Sequence, residues 1–188
     1  TRRLSEDPVL VMQRLIDDLL AYSRMSSQAL RLQPVDLAAL MADVVDQLGA
    51  AISESGAQLD IAALPTVRAD PLLMRQVLQN LVSNAIKYRG TETPRIEIRA
   101  HCDPEAWTVS VTDNGIGIDP KFFEKIFAPF QRLHSREAYS GTGIGLAIVR
   151  QAVERHNGRI WVESAERQGS RFCFSIPTHY RPDDNRAA

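Results

Sequence analysis

The sequence predicts a two-layer α/β sandwich, one sheet with helices on a single face, preceded by a long helix. Three observations predict it. Residues 95–102 and 107–112 alternate apolar and polar positions, the period of a half-buried strand. Residues 70–88 and 144–155 carry apolar residues at helical spacing. Both kinds of segment share a chain of 188 residues, enough to bury one core without disulfide staples.

In chain order, residues 8–29 read as one helix. Val9, Met12, Ile16 and Leu19 keep heptad spacing, Val11, Leu15 and Tyr22 widen the stripe, and Asp17 and Asp18 fall on the other face. Ser26-Ser27 and Gln33-Pro34 then mark a linker near residues 30–35. Asp36 reads as the cap of a helix to about residue 54, with Leu37, Leu40, Val44, Val45 and Leu48 inward. Residues 58–62 form a strand and 67–68 a very short one. Asp70-Pro71 opens a helix to about Tyr88, a capping oxygen followed by a proline in the first turn, with Leu72, Leu73, Val77, Leu78, Leu81, Val82 and Ile86 apolar. The two alternating segments, turned by Asp103-Pro104-Glu105, make a hairpin with Ile96, Ile98, Ala100, Cys102, Trp107, Val109 and Val111 inward. A short helix at 119–125, an irregular loop at 127–141, and a helix at 144–155 ended by Asn157-Gly158 follow. Strands at 159–163 and 171–176 precede a polar tail.

The composition is that of a soluble globular chain, with 44% hydrophobic and 24% charged residues. Lys and Arg number 22 against 23 Asp and Glu, which argues against a chain-wide electrostatic grip on nucleic acid or an anionic membrane. No apolar run within these residues is long enough for a membrane span and no basic-then-apolar leader opens them, which leaves open a span upstream in a longer parent. Cys102 and Cys173 are too few for a zinc site or disulfide scaffold; two lone cysteines on strands suit a reducing cytoplasm as small buried apolar side chains.

Glycine placement carries the chemistry. Residues 113–118, Asp-Asn-Gly-Ile-Gly-Ile, directly follow a strand, and residues 141–146, Gly-Thr-Gly-Ile-Gly-Leu, open a helix. Glycines let backbone approach a ligand closely, and a helix N-terminus offers free N–H groups to phosphate. A P-loop is excluded because no G-x-x-x-x-G-K-[ST] stretch occurs, and a Rossmann site is disfavoured because the glycines at 141, 143 and 145 follow a loop with the wrong spacing. Asn80 and Asn84 are four apart on one helix face, with Lys87 a turn further on. Alone, such a face is a solvated one; beside two glycine motifs its amide oxygens suit phosphate-bound Mg²⁺ and its lysine suits phosphate.

Taken together, these motifs resemble the catalytic ATP-binding part of sensor histidine kinases, within the superfamily that also holds gyrase, Hsp90 and mismatch-repair ATPases. The N box is residues 80–88, the G1 box 113–118, the F box Phe127-Ala-Pro-Phe130 and the G2 box 141–146, in the family's order and covering about residues 36–177. Residues 126–146 and Lys87-Tyr88-Arg89 are similar to the phytochrome-like branch. The resemblance implies a Bergerat-type fold with a mixed sheet, and ATP and Mg²⁺ as cofactors. It implies that Asp113 accepts a hydrogen bond from the adenine amino group, Gly115, Gly117 and Ile118 pass close to adenine, and Tyr88 lies along the nucleoside. Asn84 and Asn80 would hold Mg²⁺; Lys87 would pair with phosphate. Gly141, Thr142, Gly143, Ile144, Gly145 and Leu146 would wrap the triphosphate. Phe127 and Phe130 would anchor a lid whose Arg132, Leu133 and His134 reach the nucleotide, and Ser170 would support the adenine pocket. The catalytic set implied is Asn80, Lys87 and Arg132.

Hydrolysing members of that superfamily place a water-activating Glu four residues before the magnesium Asn. Asn80 stands there, and an amide is no general base, so phosphoryl transfer is favoured over hydrolysis. Residues 12–24 resemble the second helix of the dimerisation and phosphotransfer hairpin, which implies a homodimer through residues 1–30, a catalytic domain at 36–178, a tail at 179–188 and a response-regulator receiver as partner. None of the four histidines fits the phosphoacceptor: His101 is on the polar face of a strand, His134 in the lid, His156 at a helix C-terminus where its proton suits the dipole, and His179 in the tail. Residues 1–7 read as the end of the first hairpin helix, and Pro8 follows too soon for a connection, so residues are absent there or the chain is a fragment. Two alternatives stand beside the kinase: an ATP-hydrolysing machine, and a nucleotide-binding or dimerising regulator without kinase activity.

Overall fold

The computed structural model describes residues 29–131 and 142–178, together with Met12, Gln13, Ile16, Leu19 and Leu20. These five isolated positions are helical and exposed, but the long helix expected over 8–29 is not among the described elements; its other residues, like the tail from 179, lie outside them.

The segment expected as a linker contains a strand. β1, Gln33–Asp36, pairs antiparallel with β3, Thr66–Ala69, and sets Val35 opposite Val67 with both buried. One apolar residue in four shows no alternation, so the strand exists only through a partner more than thirty residues away. Pro34 is tolerated because the ribbon has two strands and hence free edges. Asp36 then caps α1, Leu37–Gln47, accepting the N–H groups of Ala38 and Ala39 at 2.9 and 3.2 Å. The single helix expected to residue 54 is broken at Leu48 (φ −89°, ψ 3°), and α2 occupies Gly49–Ser55. Gly49 sits at the break, where its poor helix propensity favours an interruption.

β2 is Gln58–Ile61, and α3, Pro71–Lys87, begins under the cap of Asp70, whose Oδ1 accepts Leu72 and Leu73 N–H at 3.0 and 3.3 Å. Of the apolar residues in this helix, Leu72 is 68% exposed, while Leu73, Met74, Val77, Leu78, Leu81 and Val82 are buried. β4, Arg95–Cys102, and β5, Ala106–Asp113, form the expected hairpin, closed by Asp103 Oδ1 accepting Glu105 and Ala106 N–H. Two 3₁₀ turns, Pro120–Phe122 and Lys125–Phe127, replace the short helix expected at 119–125. α4 is Gly145–Arg155, β6 Ile160–Ser164 and β7 Ser170–Pro177.

The main sheet runs β2-β4-β5-β7-β6, parallel only between β2 and β4, so it is mixed as expected. Directly opposed residues share a face, so the register stacks rows across the strands. Ile98, Val111, Phe172 and Val162 form one buried row, and Val109 and Phe174 belong to the next. α3 lies against β4, β5 and α4, while α4 also meets β6 and β7, giving the helical layer. On the opposite face Cys173, between Ser110 and Trp161, is buried, and burial pushes its thiol up to about 11. Cys102, expected inside, is exposed because its row ends at the sheet's rim.

His156 follows α4 and is 2% exposed. Its Nδ1 lies 2.7 Å from Ala152 O, and its Nε2 accepts the Asp70 N–H at 2.9 Å. The expected protonation at a helix C-terminus is thus corrected: an acceptor nitrogen carries no proton, and desolvation lowers the imidazole pKa. Among the described residues, no helix is long and apolar enough to cross a membrane.

Candidate functional site

α3 buries its Leu, Met and Val face on the sheet and leaves Asn80, Asn84 and Lys87 half-buried on the side turned from the core. Across from Asn84 lies the end of β5. The register there aligns Ile96, Asp113, Ser170 and Ser164 in one row on the helical side of the sheet. The alternation that points Val109 and Val111 inward therefore also points Asp113 inward, at the C-terminal end of the central strand, where the helices leave a cleft. That cleft holds about 600 Å³ of atom-free space, some of it open to solvent.

Of the residues singled out in the sequence, Asn84, Tyr88 and Asp113 line the cleft, as do Gly117, Ile118, Leu146 and Ser170. Asp113 accepts the Gly115 N–H at 2.8 Å and a backbone hydrogen bond from Ser170. Both bonds favour the carboxylate, yet burial outweighs them and raises its pKa to about 6. A desolvated acceptor at a cleft wall is suited to a ligand N–H.

The loop after β5 is clamped on both sides. Ile116 N–H donates to Tyr88 O at 3.0 Å, and Arg167 N–H donates to Ile116 O at 2.7 Å. A Cβ on Gly115 would stand 2.3 Å from Tyr88 O, and one on Gly117, at φ +70°, would stand 1.9 Å from Ala165 O. Only glycine fits either position. Asn114 fixes the loop from below, its Oδ1 accepting Arg95 N–H and its Nδ2 donating to Thr93 O.

Asn80 sits one turn earlier on α3, outside the cleft lining. Its Nδ2 donates to Gln76 O at 2.9 Å, and its Oδ1 lies 2.7 Å from where a Cβ on Gly145 would be. Asn80 thus touches the first turn of α4, whose start has no side-chain cap. The dipole and unpaired N–H groups of such a turn favour an anion. Lys87 Nζ lies 3.0 Å from the Tyr88 hydroxyl and 4.5 Å from the ring centroid, so one ammonium serves both groups.

The second glycine motif and the aromatic box turn their side chains in different directions. Ile144 packs its side chain into the core, 1% exposed, which leaves its backbone alone to the expected triphosphate contact. Phe130 is 57% exposed with φ 64° and meets the second glycine motif only through its N–H, which donates to Gly143 O at 3.0 Å. Phe127 does anchor its segment, buried edge-on against Phe172 at 6.4 Å. Thr142 Oγ1 accepts Ile144 N–H at 3.4 Å. Arg132, Leu133, His134 and Gly141 lie outside the described residues.

Sequence reading missed Ile116, Ile126, Gln131 and Phe172 as cleft residues, and Ser164 as the anchor of Ile118 N–H at 2.8 Å. Phe172 was visible only as a strand position and Ser164 fell just past the strand expected at 159–163; their roles come from register, which no local pattern shows. Among the described residues no three His, Cys, Asp or Glu side chains converge as a metal cluster. A cation here would rest on amide oxygen and on oxygens of its own ligand, a hard donor set that fits Mg²⁺.

Residues 69–180 match the family of histidine kinase-, DNA gyrase B-, and HSP90-like ATPases. The chain is 46% identical over 169 residues to the phytochrome-like protein Cph1 of Synechocystis sp., covering 90% of this chain and 23% of that protein. It is 36% identical over 174 residues to the adaptive-response sensory kinase SasA of the same organism, covering 90% of this chain and 45% of SasA. It thus spans about a quarter of the phytochrome-like relative. Among solved structures, full-length ShkA in complex with AMPPNP superposes with a TM-score of 0.76 at 29% identity, covering 92% of this chain and 37% of ShkA. The nucleotide-free catalytic domain of the histidine kinase ThkA gives 0.68 at 32% identity, covering 79% of this chain and 98% of that domain. Sheet order, cleft, glycine clamps and likeness agree: the chain belongs to the histidine kinase-, gyrase B- and HSP90-like ATPase family.

Proposed function

We propose that this chain is the ATP-binding catalytic domain of a two-component sensor histidine kinase of the phytochrome-like branch. The observation that carries the reading is convergence: Asp113 from the end of the central strand, Asn84 from α3, Tyr88 just after it, and Leu146 in the first turn of α4 meet around one cleft. In this reading Asp113 accepts the adenine amino N–H, and Gly117 lets the chain pass against the base. The Tyr88 ring lies along the nucleoside, and the Lys87 ammonium, now at the Tyr88 hydroxyl, pairs with phosphate oxygens. The first-turn N–H groups of α4 and the motif from Gly141 hold the triphosphate. Arg132, Leu133 and His134, outside the described residues, are assigned further contacts to the nucleotide in this reading on the resemblance alone.

Mg²⁺, when bound, neutralises phosphate charge and orients the oxygens. Asn84 and Asn80 are the residues that would hold it. No carboxylate stands at position 80, so water is not activated there; the residues position and neutralise, which suits phosphoryl transfer. The acceptor is a His on a hairpin helix, and from it the group passes to an Asp of a response-regulator receiver. ThkA, which superposes at a TM-score of 0.72 with 27% identity over 91% of this chain and 48% of ThkA, was solved in complex with the response regulator TrrA. A homodimer through the N-terminal helix region and a cytoplasmic location complete the proposal.

The test follows labelled γ-phosphate when this chain, ATP and the hairpin domain of a phytochrome-like relative are mixed. Acid-labile label on the hairpin His is expected. Release of free phosphate without labelled protein would contradict the reading and favour an ATPase.

A further inference from the structure

Ser164, the last residue of β6, does not line the cleft, yet its hydroxyl meets three groups that do or that adjoin it. Ile118 N–H donates to Ser164 Oγ at 2.8 Å. Ser164 Oγ lies 2.6 Å from Gly169 O and 3.0 Å from Ser170 Oγ. A carbonyl only accepts, and a serine hydroxyl carries one proton. That proton must lie on the line to Gly169, since otherwise two acceptors would face each other at 2.6 Å. Ser164 then has none left for Ser170, so Ser170 donates across the 3.0 Å contact. The Ser170 proton is thereby committed away from the cleft, and only its lone pairs remain for a ligand.

Asp113 is the cross-strand partner of Ser170, and both line the cleft. An ionised carboxylate also only accepts. The wall they share therefore offers acceptor beside acceptor, a pattern set by a residue behind it. We infer that Ser164 is a specificity-determining positioning residue: by holding Ser170 as an acceptor, it makes the Asp113–Ser170 wall select a purine with an exocyclic 6-amino donor over one with a 6-oxo acceptor. This rests on the proposed reading that the cleft takes a purine nucleotide. Replacing Ser164 by Ala releases the Ser170 proton, which can then turn to a 6-oxo oxygen.

The experiment is competitive binding of ATP and inosine triphosphate to the full chain, its Ser164→Ala, Ser164→Thr and Ser170→Ala variants, and the Ser164→Ala/Ser170→Ala double variant. In Ser164→Ala the preference for ATP over inosine triphosphate falls roughly three- to tenfold, the size of one net hydrogen bond. Ser164→Thr, which keeps the hydroxyl, retains the parent's preference. In the Ser170→Ala background Ser164→Ala changes the preference no further, because its effect passes through Ser170. A purely structural role would weaken both nucleotides equally and persist in that background. If Ser164→Ala does not fold, Ser170→Ala decides alone, and its loss of an acceptor lowers the same preference. An unchanged or increased preference for ATP in the folded variants, with the parent binding ATP, overturns this inference only. A parent that binds neither nucleotide removes the nucleotide reading and this inference with it.

Discussion

His156 Nε2 accepts the backbone N–H of Asp70 at 2.9 Å, joining the end of α4 to the residue that caps α3. Asp70 Oδ2 in turn accepts the Arg31 N–H at 3.0 Å, just ahead of β1. The two helices that flank the cleft are thus tied together at their far ends by one buried imidazole. His156→Ala, which leaves that N–H unpaired beside a cavity, is expected to cost about 2–4 kcal/mol in urea unfolding. A loss below about 0.5 kcal/mol would show that the tie is not structural.

The same ring makes stability pH-dependent. Its pKa is lowered in the folded state, so below the ordinary imidazole value near 6.5 the unfolded chain takes up a proton that the folded chain refuses. Stability falls as pH drops below about 6.5. His156→Gln is expected to flatten that slope when melting temperatures are compared from pH 7.5 to 5.

Asp113 behaves in the opposite sense. Its folded pKa, about 6, exceeds its ordinary 3.8, so its relative stabilisation is fully present below the ordinary value and is lost as pH rises through 6. At pH 8 the folded chain carries a partly desolvated charge. Asp113→Asn is expected to raise stability there by about 1 kcal/mol, the opposite of what it does to ligand binding. Chemical denaturation at pH 8 measures this; a destabilised variant would mean the carboxylate serves the fold.

Binding follows the ionised form. Adenosine, which carries no titrating phosphate, is expected to bind with constant affinity above pH 7 and to weaken below about 6 as the Asp113 carboxyl takes up a proton. Equal affinity at pH 5 and pH 8, by calorimetry, would remove Asp113 from base recognition.

Gly117→Ala places a methyl group 1.9 Å from Ala165 O at φ +70°. A cost of about 2 kcal/mol or more, with loss of nucleotide binding, is expected. An unchanged melting temperature and affinity would show that the loop relaxes freely.

The sequence made the site legible where chemistry and local period coincide. Asp113 ends an alternating strand, Asn84 and Lys87 share a helix face, and glycines mark the backbone approaches; all stand at the cleft or beside it. Long-range pairing was hidden: β1 has one apolar residue and exists through Val67, and the acceptor role of Ser170 depends on Ser164 across a register. Ile144 and Phe130 show the limit of motif reading. Both belong to a glycine or aromatic box, yet Ile144 packs inward and Phe130 outward, because position in a motif does not decide which way a side chain turns.

The central claim is that this cleft holds ATP through Asp113. Titration of the chain with a non-hydrolysable ATP analogue, with and without Mg²⁺ and beside Asp113→Asn, tests it most directly. The account predicts affinity in roughly the micromolar range, tightened by Mg²⁺, and lost in Asp113→Asn while that variant stays folded. A folded parent that does not bind the analogue, or an Asp113→Asn variant that binds it as well as the parent, would contradict it.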